Sequence, residues 1–114
     1  MYISYIYNQI VDIDLSDLIG FDWNTGNSGK NDIGHEVTDA ECEEIFFNAP
    51  LLLGEDPKHS EIERRFGAFG VTNAERPLTV VFTVRRNLIR IISARDMNRK
   101  EREFYKTYEK NPEI

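Results

Sequence analysis

Residues 78–96 read LTVVFTVRRNLIRIISARD. Leu78 to Arg85 is a near-continuous apolar run, the pattern of a central strand covered on both faces. Arg86-Asn87 interrupts it for two polar residues, and Leu88 to Arg95 then returns as a second run, so the segment reads as a tight hairpin. A central strand with its return strand commits the chain to an antiparallel sheet.

Working outward, Asn73-Ala74-Glu75-Arg76-Pro77 is a turn, and "RRFGAFGVT" ahead of it is a strand from Arg64 or Arg65. "LLLGE" is a further short strand. Upstream, Thr38 or Asp39 caps a helix over "DAECEEIFFN": Thr38 and Glu41 have capping-box spacing, and Asn48-Ala49-Pro50 ends it. Two glycines and several asparagines weaken any helix from Asn24 to Ile33. Phe21-Asp22-Trp23 reads as a short extended piece. "YISYIYNQIVDIDL" is β-branched and aromatic, with clean alternation from Val11 to Leu15, and reads as a strand. Downstream, Asn98 or Asp96 caps a last helix to about Glu109. Met97, Glu101, Phe104 and Tyr108 fall on one stripe of it, with Arg102 and Tyr105 alongside. The expected class is α+β: a small curved antiparallel sheet with helices packed on one side. Residues 1–20 are an extension, 21–110 the domain and 111–114 a tail.

The chain has 114 residues, 40% hydrophobic and 30% charged, which suits one soluble domain with a single modest core. One cysteine, Cys42, rules out an intramolecular disulfide and fits a reducing compartment. No Cys/His cluster has zinc spacing. The N-terminus lacks the basic start of a signal peptide, and Asp12, Asp14 and Asp17 break it before a membrane span is reached, so a cytoplasmic location is expected. The net charge of −6 is divided unevenly. Residues 1–60 hold 12 acidic against 2 basic side chains, whereas residues 61–114 hold 8 against 12. An acidic total argues against non-specific nucleic-acid binding, and a basic second half leaves room for a local anionic site.

The stretch "EDPKHSEIERRFGAFG", 55–70, gathers a histidine, four carboxylates, a lysine and two arginines at a strand entry. With "FDWN", "KN", His35, "VTDAECEEIFFNAPLL", "VVFTVR", "IRIISARDM" and the Glu101-Arg102…Tyr105 pattern, it resembles the BrnT-type toxins of bacterial type II toxin–antitoxin pairs. The resemblance spans about residues 21 to 108. It implies a RelE-like fold and a metal-independent RNA endonuclease that stops translation, with no cofactor. It also implies a BrnA-like antitoxin, whose complex with the toxin represses their operon, so that DNA is met only through the complex. Two positions depart from the pattern: Glu36 and Glu75 stand where the family usually carries glycine. Residues 1–20 lie outside it and suit a dimerisation strand.

RNA cleavage through the 2′-hydroxyl needs a base, an acid and cations that hold the phosphate. Arginine suits the last role through its permanently charged planar fork. The candidates are Arg65, Arg76, Arg85, Arg90 and Arg95. Simple alternation puts Arg95 with Ser93 and turns Arg90 to the opposite face, unless a bulge intervenes. Arg65 and Arg95 are favoured; the competing reading of Arg95 is an ion pair with Glu101 or Glu63 that locks the last helix. His59 is the natural acid or base, set against a turn histidine that binds nothing. Glu61, Glu63 and Arg65 fall on one side of an extended segment, with Glu63 the better carboxylate. Tyr105 reads either as a base-stacking ring or as core, and Lys30 either as an RNA or antitoxin contact or as a plain surface lysine.

Overall fold

The computed structural model describes residues 15–56 and 62–110. The elements are β1 (Gly20–Phe21), α1 (Lys30–His35), α2 (Asp39–Glu44) with a 3-10 turn (Ile45–Phe47), β2 (Leu52–Asp56), β3 (Arg65–Val71), β4 (Pro77–Arg85), β5 (Leu88–Asp96) and α3 (Arg99–Lys110). The sheet order is β1-β5-β4-β3-β2. The central hairpin forms as read. Arg86 and Asn87 both take positive φ, 53° and 64°, as a two-residue turn matched to strand twist requires. The expected strand over "YISYIYNQIVDIDL" lies outside the described residues apart from Leu15, which enters a turn closed by Leu18 N–H donating to the Leu15 carbonyl.

The second and third helices start where their local signals sit. Thr38 caps α2 with a reciprocal capping box to Glu41. Asn98 does the same for α3: Glu101 N–H donates to Asn98 Oδ1, and Asn98 N–H to Glu101 Oε1. The α2 helix tightens into a 3-10 turn after Glu44, so its α-helical part is shorter than the sequence pattern implied.

Two further expectations are corrected. The sheet is not wholly antiparallel, because β1 pairs with β5 in parallel, Gly20 opposite Leu88. The helices do not share one side either. Val37, Cys42 and Ile45 pack with Phe66, Ala68, Leu78, Val80, Phe82 and Ile91 on one face. Met97 and Tyr105 of the α3 region pack with Leu52 and Phe69, whose side chains alternate to the other face. Each fully buried large apolar side chain contributes about 1.5–3 kcal/mol, so the first and larger cluster dominates stability.

The outer edge of β5 is completed by side chains beyond the two residues of β1. Asn27 Nδ2 donates to the carbonyls of Asp22 and Ile91, and Asn31 Oδ1 accepts from Ala94 N–H. Both asparagines are buried, and they serve in place of a longer neighbouring strand.

Candidate functional site

The face of the sheet that carries α3 also carries several of the candidate arginines. Three cross-strand rows are defined by register. Phe69, Thr79 and Arg95 lie opposite one another under α3; Gly67, Val81 and Ser93 form a floor of small side chains; Arg65, Thr83 and Arg90 form the third row. Arg95 and Arg90 share this face because the β4–β5 pairing slips by one residue between Val81 and Phe82, which leaves Ile92 as the extra residue of a bulge. Uninterrupted alternation had turned Arg90 away, and the odd spacing of two arginines on a strand whose partner has no extra residue is the only sequence signal that hints otherwise.

Glu63 sits at the entry to β3, among these arginines. Arg85 Nε and Nη2 donate to its two oxygens at 2.6 and 3.1 Å. Those bonds hold the Glu63 carboxyl below the usual range; the charges of Arg85, Arg65 and Arg90 add to the effect, while partial desolvation opposes it. Arg90 is mostly buried. Its Nη2 donates to Asn24 Oδ1 and its Nη1 lies 3.6 Å from Asp22 Oδ1, too long for a hydrogen bond. Asp56, also buried, stands opposite Arg65 in register. The arrangement is a guanidinium cluster held around an ionised carboxylate, which can accept a proton or give way to a phosphate.

Other candidates are placed differently. Arg95 donates from Nη1 and Nη2 to the two oxygens of Glu101 at 2.7 and 3.0 Å, and Glu101 is fully buried. Thr79 Oγ1 also donates to Glu101, so this pair ties β4, β5 and the start of α3 together. Arg76 bonds Asp96, Glu41 and the Glu36 carbonyl, and is thereby committed to joining α1, α2 and β5. Tyr105 is a core residue: its ring is buried beside Phe69's cluster and its hydroxyl donates to the Pro50 carbonyl, which leaves no ring face for a base. Burial also raises its pKa. Lys30 is exposed at the start of α1, apart from the arginine rows. His59 and Glu61 lie outside the described residues. Cys42 is buried and its thiol is pushed up to about 12 by that burial and by Asp39, Glu41 and Glu43, so it is not a nucleophile at neutral pH. Among the described residues no three His, Cys, Asp or Glu side chains converge as metal ligands do, and no helix is long and apolar enough to cross a membrane.

The fold is a small α+β domain with arginines collected on one half of a sheet face. A family model described as the ribonuclease toxin BrnT of a type II toxin–antitoxin system matches residues 23–101, and the chain belongs to that family. RNA cleavage and an antitoxin partner are therefore its family properties. A comparison with curated proteins finds no match.

Glu36 and Glu75 take φ of 57° and 65°, the left-handed region in which a side chain is strained and glycine is not. Glu36 follows α1 and Glu75 sits in the β3–β4 turn, so both glutamates hold turn positions of the kind glycine favours.

Proposed function

We propose that the chain is a metal-independent RNA endonuclease that inhibits translation in the cytoplasm, neutralised by a BrnA-like antitoxin and meeting DNA only through that complex. The observation that carries this reading is the Arg65–Arg85–Arg90 cluster around ionised Glu63 on one half of the sheet face. In this reading an RNA phosphate displaces Glu63 from Arg85. The freed guanidinium then takes up the charge that builds on the phosphate as the 2′-oxygen attacks. Glu63, or His59 from the adjoining segment, receives the 2′-hydroxyl proton; the other returns one to the leaving 5′-oxygen. Arg95 acts here by holding α3 through Glu101.

A second reading, a non-catalytic binding protein of the same fold, is favoured by one observation. The arginines at or near this face carry carboxylate partners: Arg85 with Glu63, Arg95 with Glu101, Arg90 beside Asp22. A pulse of expression without antitoxin separates the two. Growth arrest with new transcript 5′ ends, both absent for a folded Arg65→Ala/Arg85→Ala variant, is the result expected of the nuclease, with RNA cleavage in a purified assay unaffected by chelator. Intact transcripts with the wild type would sink it.

A further inference from the structure

The segment Phe21-Asp22-Trp23-Asn24 brings a carboxylate and an amide to one guanidinium. The Arg90 side chain is 14% exposed, so most of its five N–H donors have left water. Its Nη2 donates to Asn24 Oδ1 at 3.1 Å, while its Nη1 is buried without a hydrogen bond and stands 3.6 Å from Asp22 Oδ1. Arg95 and Arg76, which join segments of the fold, are held otherwise: each places two nitrogens on one carboxylate at 2.6–3.0 Å. Arg90 is thus a mostly buried cation kept just short of its carboxylate. Such an arrangement costs stability and calls for a function.

The turn that follows holds Asn24 still. Asn24 N–H donates to Asn27 Oδ1, its carbonyl accepts from the Asn27 and Ser28 N–H groups, and its Oδ1 also accepts from Gly26 N–H at 2.8 Å. Asn27 Nδ2 clips the turn to the Asp22 and Ile91 carbonyls, and Trp23 Nε1 ties the segment to α2 by donating to Glu43 at 2.7 Å. Gly26 does not take positive φ; what asks for glycine there is room, because a Cβ would stand 3.1 Å from both Arg90 Nη2 and Asn24 Oδ1. Arg90 in turn shares a cross-strand row with Thr83 and Arg65, and its charge reaches Glu63. The charge of Asp22 reaches Arg85 as well.

We propose that Asn24 is a positioning residue for RNA cleavage: it holds the Arg90 guanidinium off Asp22, so that this positive charge stays available to the phosphate bound by Arg65 and Arg85. The assignment rests on the nuclease reading above. Without Asn24 the fork is free to close on Asp22 as a full ion pair, and its charge is then compensated within the protein.

The test is cleavage of a messenger transcript by the purified full chain, read as kcat/KM with the melting temperature beside it. Asn24→Ala is expected to lose about tenfold or more, as small misplacements of a charge-holding group do. Gly26→Ala, which crowds the same Nη2, should lose in the same direction. Thr25→Ala, an exposed position in the same turn, should match the wild type. Asp22→Asn removes the competing carboxylate and leaves its backbone bonds in place. Added to Asn24→Ala, it should return kcat/KM to within about threefold of the wild type, and it should gain more there than it does alone. A general loss of order in the turn would not be repaired in that way. Should Asn24→Ala unfold, Gly26→Ala with and without Asp22→Asn carries the same comparison. Undiminished cleavage by folded Asn24→Ala overturns the assignment and leaves the nuclease standing, as does an equal gain from Asp22→Asn in both backgrounds. A wild type that cleaves no RNA overturns the nuclease reading and this assignment with it.

Discussion

Arg90 and Arg95 lie five positions apart on one strand and yet project from the same face, because the bulge at Ile92 inserts one residue between their partners Thr83 and Thr79. They nevertheless serve different ends. Arg95 is bound to a fully buried glutamate, whereas Arg90 belongs to the cluster whose charges act on Glu63.

The first expectation follows from that contrast. Arg95→Ala leaves Glu101 buried without its cation and should cost about 3 kcal/mol or more in urea unfolding. The paired change Arg95→Met/Glu101→Met should recover most of it. Arg85→Ala, at an exposed pair, should leave the unfolding midpoint unchanged and lower RNA cleavage at least about tenfold. Equal stability losses for Arg95→Ala and Arg85→Ala would falsify this division of roles.

Glu36 and Glu75 are exposed residues in left-handed backbone. Restoring glycine should stabilise the protein by about 0.5–1 kcal/mol at each position, since the strain removed exceeds the entropy added to the unfolded chain. The two sites should add, because they lie in separate turns. Chemical denaturation of the single and double variants reads this directly; a loss of stability at either site would mean that the glutamate side chain makes a compensating contact.

Arg76 links four segments through Asp96, Glu41 and the carbonyl of Glu36. A backbone N–H from Thr38, together with Arg76, lowers the Glu41 pKa from 4.5. Hydrogen bonds from Arg76 lower that of Asp96 from 3.8. Depressed carboxylate values add stability that is complete above the unfolded pKa and is lost as pH falls through the folded one. The stability gap between wild type and Arg76→Met should therefore be flat above pH about 5 and shrink below 4.5. A gap that stays constant down to pH 3 would assign Arg76's contribution to packing alone.

Gly70 faces the 3-10 turn. A Cβ built there would stand 2.9 Å from Ile45 Cβ and 3.3 Å from the Ile45 carbonyl oxygen. Gly70→Ala should destabilise by about 1–3 kcal/mol as β3 and the turn are pushed apart. Retention of the wild-type melting temperature would show that the turn yields freely.

The sequence by itself determined the features whose physics is local. The Arg86-Asn87 turn, the Thr38–Glu41 and Asn98–Glu101 caps and the apolar central strand all follow from residues within a few positions of one another, and each was legible for that reason. So was the basic, carboxylate-bearing entry to β3. Tertiary structure decided what depends on a partner strand or a packed face. The bulge exists only in the pairing of β4 with β5, and it alone brings Arg90 into line with Arg95. The side of the sheet taken by α3 depends on which apolar face Phe69 and Leu52 leave uncovered. The commitment of Arg95 and Arg76 to ion pairs depends on carboxylates brought up by the fold, one of them 35 positions away from Arg76. A charged side chain carries no local record of which charge it will meet, and so the division between arginines that hold the fold together and arginines that face solvent was set only when the sheet closed.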